Sequence, residues 1–230
     1  MREVTLQFVR RFSGGDPGRL RDAKELLTRL TRVWRGSSGR ALPERYADLY
    51  GAVDAEIEQV KAHTRAPIPC ARGCNHCCKF NEIYVSKFEA VLLVRHIENL
   101  LPDRRAQVVA RIHAAATTSG GGHSSPCVLL DEDGCSVYSS RPLPCRGYYS
   151  LSEPACSQRL NLGGADPANL AAARVVEFAA LEISGSDRQP PFEVNTLLHR
   201  IYADPAKAAR WAAGDATDES DLAAATVAMK

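Results

Sequence analysis

Apolar residues recur at intervals of three and four from Arg19 to Trp34 (Leu20, Ala23, Leu26, Leu27, Leu30, Val33, Trp34), which predicts an amphipathic helix closed by Gly36-Ser37-Ser38-Gly39. A second helix follows from Pro43 to His63, with Tyr46, Leu49, Tyr50, Val53, Ile57 and Val60 on one face and Pro43 in its first turn. Pro67 and Pro69 then force extended backbone. Phe80 to Val85 reads as a short strand or extended connector. Ser86 with Glu89 forms a capping box ahead of Ala90, Val91, Leu93, Val94 and Ile97. Leu101-Pro102-Asp103 separates this helix from another running to about Ala116. A further helix opens at Asp166-Pro167 and ends at Ser184-Gly185, and two short ones follow, one around Val194 to Ile201 and one from Asp204-Pro205 to Trp211. At the N-terminus the alternation Val4, Leu6, Phe8 predicts a short strand or a loose arm before the turn at 13–18.

These signals give a mainly α fold, a helical single domain with irregular cysteine-rich loops and a small β-hairpin. The expected organisation is an N-terminal helical segment over 1–66, a cysteine-cluster region with C-terminal helices over 67–213, and a disordered tail over 214–230, where no apolar stripe remains. No internal repeat has a fixed period. At 230 residues the chain can bury a core without disulfides. Its 29 Lys and Arg nearly balance 27 Asp and Glu, so no global field points to nucleic acid or anionic lipid. With no apolar run of membrane-spanning length and no signal-peptide pattern, a cytoplasmic protein is expected.

The irregular stretches change that picture. Cys70, Cys74, Cys77 and Cys78 fall within nine residues, and Cys127, Cys135 and Cys145 return in a Gly- and Pro-rich segment. A reducing cytosol keeps thiols free, and adjacent Cys77 and Cys78 are poor disulfide partners because successive side chains diverge, so metal is favoured over disulfide or reactive-thiol use. The spacing Cys70-x3-Cys74-x2-Cys77, with Gly73 to ease the turn, lets two thiolates converge on an ion while backbone amides face the sulfurs. Cys127 and Cys135 flank Asp131-Glu132-Asp133-Gly134, predicted as the tip of a hairpin with arms Val128-Leu129-Leu130 and Ser136-Val137-Tyr138. That acidic tip either binds a cation itself or, as favoured, is solvated.

Seven thiols exceed the four of a tetrahedral zinc site. Either one four-sulfur zinc or iron site has spare cysteines beside it, or the centre is polynuclear, as in iron-sulfur clusters, with Cys77 and Cys78 on different metals. His76 either replaces a sulfur or faces water. Arg72, Lys79, Arg141 and Arg146 are placed in sequence to offset a negative core, or are ordinary surface residues. Cys156 either joins the ligands or, as favoured, is a buried free thiol, and His63 and His123 read as a capping and an exposed histidine. The Gly120-Gly121-Gly122 run lacks the Lys and Ser/Thr of a phosphate loop.

The run Cys70-x3-Cys74-x2-Cys77-Cys78, followed by Cys127-x7-Cys135-Ser-Val-Tyr138-x2-Arg141-Pro142-x2-Cys145-Arg146-x-Tyr148, resembles the YkgJ-type cysteine-cluster family, the CxxCxxCC zinc- or iron-chelating proteins. The resemblance spans about Pro69 to Tyr149. It implies a chelating centre of Cys70, Cys74, Cys77, Cys78, Cys127, Cys135 and Cys145, framed by Arg141, Pro142 and Arg146. Some members are similar to flagellin lysine N-methylases, which implies an iron-sulfur centre; nothing outside the motif identifies such a substrate, so the partner stays open, with a protein substrate as one option.

The expected function is a cytoplasmic metal-binding protein with zinc or iron, including an iron-sulfur cluster, as cofactor. An iron-sulfur- or metal-dependent protein-modifying enzyme such as a lysine N-methylase is the alternative, although no dinucleotide-type glycine loop is present. A zinc-stabilised interaction module comes third, and neither nucleic acid nor membrane is an expected partner.

Overall fold

The structure is a computed structural model that describes residues 17–65, 68–70, 73–79, 83–118, 126–132, 134–158, 171–184 and 192–216. It is mainly helical. In chain order the helices are α1 (Pro17–Gly36), α2 (Leu42–His63), α3 (Lys87–Glu98), α4 (Pro102–Thr118), α5 (Leu143–Gly147), α6 (Glu153–Ser157), α7 (Ala171–Ser184), α8 (Val194–Tyr202) and α9 (Pro205–Ala213). Four two-residue strands, β1 (Tyr84–Val85), β2 (Leu130–Asp131), β3 (Gly134–Cys135) and β4 (Phe192–Glu193), pair as β1 with β4 and β2 with β3, both antiparallel. Among the described residues no helix is long and apolar enough to cross a membrane.

The chain forms two compact units. One comprises Met1–Cys70, Leu143–Ala155 and Gly163–Arg188; the other comprises Ala71–Pro142, Cys156–Leu162 and Gln189–Lys230. The chain passes between them within the first cysteine run, just after Cys70, and again ahead of α5 and within α6.

In the first unit α1, α2, α5 and α7 pack together. Ala23, Leu26, Leu27 and Leu30 of α1 are buried, as are Tyr46, Leu49, Tyr50, Val53 and Ile57 of α2, which bears out the three-and-four spacing read from sequence. Trp34, Tyr46 and Tyr50 stack edge-on in sequence, with centroids 5.3 and 5.8 Å apart. The α5 turn is not foreseen by the sequence, whose Pro-rich segment around Cys145 reads as irregular. Proline fits the first turn of a helix, where its missing N–H costs nothing. Arg146 is buried within it, paired with Asp54 and lying 4.2 Å over the Tyr50 ring. A side chain at Gly147 would collide with buried Glu177, so α5 and α7 approach through a residue that has none.

The second unit is built on α3, α4, α8 and α9. Ala90, Leu93, Val94 and Ile97 meet Val108, Ile112, Leu197, Leu198, Ile201 and the fully buried Trp211 in one core, and Val128, Leu129 and Val137 of the cysteine hairpin join it. Cys127 and Cys135 pack against its edge. Asp204 caps α9 by accepting from Ala206 N–H at 2.8 Å, as its Asp-Pro start predicts. The hairpin is shorter than expected: Leu130 pairs with Cys135 and Asp131 with Gly134, and Tyr138–Ser140 turns into a 3₁₀ helix where a strand was read. The N-terminal strand or arm, His123 with the triple glycine, the Asp166-Pro167 helix start and the tail from 217 lie outside the described residues.

Ser86 and Glu89 form the capping box foreseen at the start of α3. Ser86 N–H and Oγ–H each donate to Glu89 Oε2 at 3.0 Å, and Ser86 Oγ accepts from Glu89 N–H at 3.3 Å. Both residues are buried, so water cannot replace these bonds. Ser86→Ala is expected to lower unfolding free energy by about 1–2 kcal/mol in urea denaturation, and an unchanged midpoint would contradict the buried cap.

Candidate metal centre

None of the eight cysteines is bridged by a disulfide. Cys74, Cys77, Cys78, Cys127 and Cys135 belong to the second unit and Cys70 and Cys145 to the first, so each is described in its own setting.

The first loop of the second unit ends in a single 3₁₀ turn, Cys77–Lys79, closed by Cys78 N–H to the Asn75 carbonyl (3.1 Å) and Lys79 N–H to the His76 carbonyl (3.2 Å). That turn corrects the expectation that Cys77 and Cys78 diverge. Successive residues diverge in extended backbone, but in a 3₁₀ turn they lie about 120° apart, and here their sulfurs come within 3.9 Å. Two thiolates on one tetrahedral zinc, at Zn–S of about 2.3 Å, stand about 3.8 Å apart. Cys74, nearer the start of the loop, is exposed, and Cys77 and Cys78 are half-buried. Gly73 has φ +94°, the freedom expected of it.

The hairpin carries Cys127 and Cys135. Cys127 N–H donates to the Cys78 carbonyl at 2.8 Å, tying the two cysteine loops backbone to backbone. At the tip, Gly134 has φ +114°, and a Cβ there would lie 3.7 Å from Gly73 Cα. The tip is not simply solvated: Asp131 accepts from Arg104 Nη2 (2.9 Å) and from Ser136 Oγ (2.8 Å), and Ser136 Oγ accepts from Arg111 Nη2 at 2.8 Å. Sequence reasoning missed this network because its members come from a helix, from β2 and from the residue after β3, with no local signal.

Burial against the core raises the Cys127 thiol to about 12, opposed by the Leu129 amide and reinforced by Cys135, Glu193 and Cys77. Burial likewise raises Cys135, opposed by the Val137 amide and by Arg141, with Asp131 and Cys77 pushing the other way. Cys77 is raised through its hydrogen bond with Cys78, and then by burial. Each hairpin cysteine thus has the backbone amide two residues on acting in favour of its thiolate. Such N–H groups accompany sulfur that carries charge in a buried place. Arg141 is the cation that acts on Cys135, and its guanidinium lies over the Tyr138 ring at 4.4 Å.

In the first unit, Ser150 N–H donates to Cys70 Sγ at 3.2 Å, and Cys70 Sγ lies 3.6 Å from the Ser150 carbonyl. Cys145 is half-buried in α5. Arg146, expected beside sulfur, is engaged by Asp54 and Tyr50. His63 is the capping histidine expected, with Nδ1 2.7 Å from the Gln59 carbonyl, and Cys156 is buried and outside any disulfide, in α6. Arg72 lies outside the described residues.

Among the described residues no three His, Cys, Asp or Glu side chains already stand together at ligand distance. Yet the donor set fits zinc or iron: reduced thiols, one Sγ–Sγ separation close to a tetrahedral edge, amides directed at sulfur and a cation beside one thiol.

Residues 69–161 match the model of the family described as "CxxCxxCC: putative zinc- or iron-chelating domain". The first run here has three residues between Cys70 and Cys74, one more than the family's label. No curated protein and no solved structure matches the chain.

Gly134→Ala places a side chain at a φ that L-residues rarely adopt, and is expected to cost about 1–3 kcal/mol. Chemical denaturation checks this, and a variant as stable as the parent would contradict the positive φ at the hairpin tip.

Proposed function

We propose that the protein is a cytoplasmic metal-binding protein that chelates zinc or iron through Cys70, Cys74, Cys77, Cys78, Cys127, Cys135 and Cys145. The observation that carries the reading is the paired setting of Cys127 and Cys135, two thiols held at the edge of a core with a backbone amide two residues on favouring each thiolate. Such donors suit a metal ligand, which must stay ionised where burial opposes ionisation.

Cys77, Cys78, Cys127 and Cys135 form the inner set, since one unit holds all four and the Cys127–Cys78 backbone bond joins their loops. These four meet the requirement of one tetrahedral zinc or iron. Cys74, in the same unit, extends the donor count beyond four, which is the basis for a polynuclear, iron-sulfur form of the centre. A bound ion or cluster would supply Lewis acidity or an electron-transfer couple. The chain itself contributes the thiolates, the amides of Leu129 and Val137 that stabilise them, and the guanidinium of Arg141 that offsets their charge.

Metal content of protein purified without air tests the assignment. Cys77→Ser, Cys127→Ser and Cys135→Ser are each expected to lose at least half of the bound metal, Cys74→Ser and Cys145→Ser are expected to lower it, and Cys156→Ser is expected to match the parent. Parental stoichiometry in Cys127→Ser and Cys135→Ser would overturn the inner set.

A further inference from the structure

The peptide groups around Cys127 are held from every side. Cys127 N–H donates to the Cys78 carbonyl (2.8 Å), and the Cys127 carbonyl accepts from Leu130 N–H (2.9 Å). The flanking groups turn to helices instead. Val128 N–H donates to Asn195 Oδ1 at 3.0 Å, Asn195 Nδ2 donates to the Pro126 carbonyl at 3.2 Å, and Arg111 Nε donates to the Val128 carbonyl at 3.1 Å. One side-chain amide thus spans the cysteine, with its acceptor on the N–H after Cys127 and its donor on the carbonyl before it.

Few side chains can make that pair of contacts. A primary amide carries a donor and an acceptor about 2.2 Å apart in one plane, the complement of a peptide edge, and reversing it would set like groups against each other at both ends. Asn195 is itself fixed. It stands in the first turn of α8, its own N–H donates to the Glu193 carboxylate at 3.0 Å, and its neighbours Val194, Leu197 and Leu198 are buried in the core. Arg111 extends the hold to the second strand of the hairpin through Ser136 Oγ at 2.8 Å. Both hairpin cysteines are therefore referred to α4 and α8. Asn195 also lies beyond residues 69–161, so the matched segment does not contain the residue that grips its Cys127.

We propose that Asn195 is a positioning residue for the metal centre, which fixes the backbone of Cys127 so that its sulfur is presented to the ion at little cost in ordering. The proposal rests on the reading that Cys127 is a ligand. Its physical basis is preorganisation: a ligand already held loses less freedom on binding, and outer partners of metal ligands typically matter by about 10–100-fold in affinity. Asn195 makes no contact with the ion in this role.

Cobalt(II) is the probe, because thiolate-to-cobalt absorption in the near ultraviolet reports sulfur coordination directly. For the full chain, Asn195→Ala is expected to lower cobalt affinity by about 10–100-fold and to speed transfer of cobalt to a chelator by a similar factor. Asn195→Asp keeps the shape and the acceptor for Val128 N–H but loses the donor to Pro126, and is expected to fall between; it carries the test if the alanine variant does not fold. Ser86→Ala, destabilised in the same unit without touching the hairpin, is expected to keep parental affinity. Parental affinity and transfer rate in both Asn195 variants, with the thiolate band present in the parent, would overturn the positioning role and leave the metal centre standing. An equal loss in Ser86→Ala would also overturn it, by showing that stability alone sets affinity. A parent with no thiolate-to-cobalt band would instead remove the metal reading on which the proposal rests.

Discussion

A thiol pressed against an apolar core resists ionisation, and the surroundings of the cysteine hairpin answer that constraint. Cys127 and Cys135 pack at the edge of the core formed by α3, α4, α8 and α9, and burial raises both. The Leu129 and Val137 amides, with Arg141 beside Cys135, work in the opposite direction. The two-residue strands leave Leu129 and Val137 outside the ladder of Leu130 with Cys135 and Asp131 with Gly134.

The same economy appears in the scaffold. Asp131, Ser136, Arg104 and Arg111 connect the hairpin to α4, and Asn195 connects it to α8. A short irregular loop has few backbone bonds of its own, so its geometry is borrowed from regular elements with buried faces. The first unit offers a parallel case in Cys70, whose sulfur accepts the Ser150 amide at 3.2 Å.

Local signals in the sequence were reliable where one element satisfied itself. The Ser86 and Glu89 pair, the Asp204-Pro205 start and the faces of α1 and α2 all depend on contacts within a few residues or on helical period, and each stands as read. Signals failed where distant chain decides. Nothing near Tyr84 announces its pairing with Glu193, and nothing near Asn195 announces Val128. The turn carrying Cys77 and Cys78 misled for a related reason: adjacency was judged on extended geometry, while its hydrogen bonds wind it into a 3₁₀ helix. Cysteine spacing was the exception among long-range features, because the residue type alone restricts the chemistry, and residues 69–161 match the chelating domain that the spacing implied.

The central claim is that thiolates hold a metal here. X-ray absorption at the metal edge, on protein purified without air and without added chelator, tests it directly. The account predicts a first shell dominated by sulfur at about 2.3 Å. A shell of oxygen and nitrogen alone, at about 2.0–2.2 Å, would contradict it, since the cysteines would then be idle beside an ion held elsewhere.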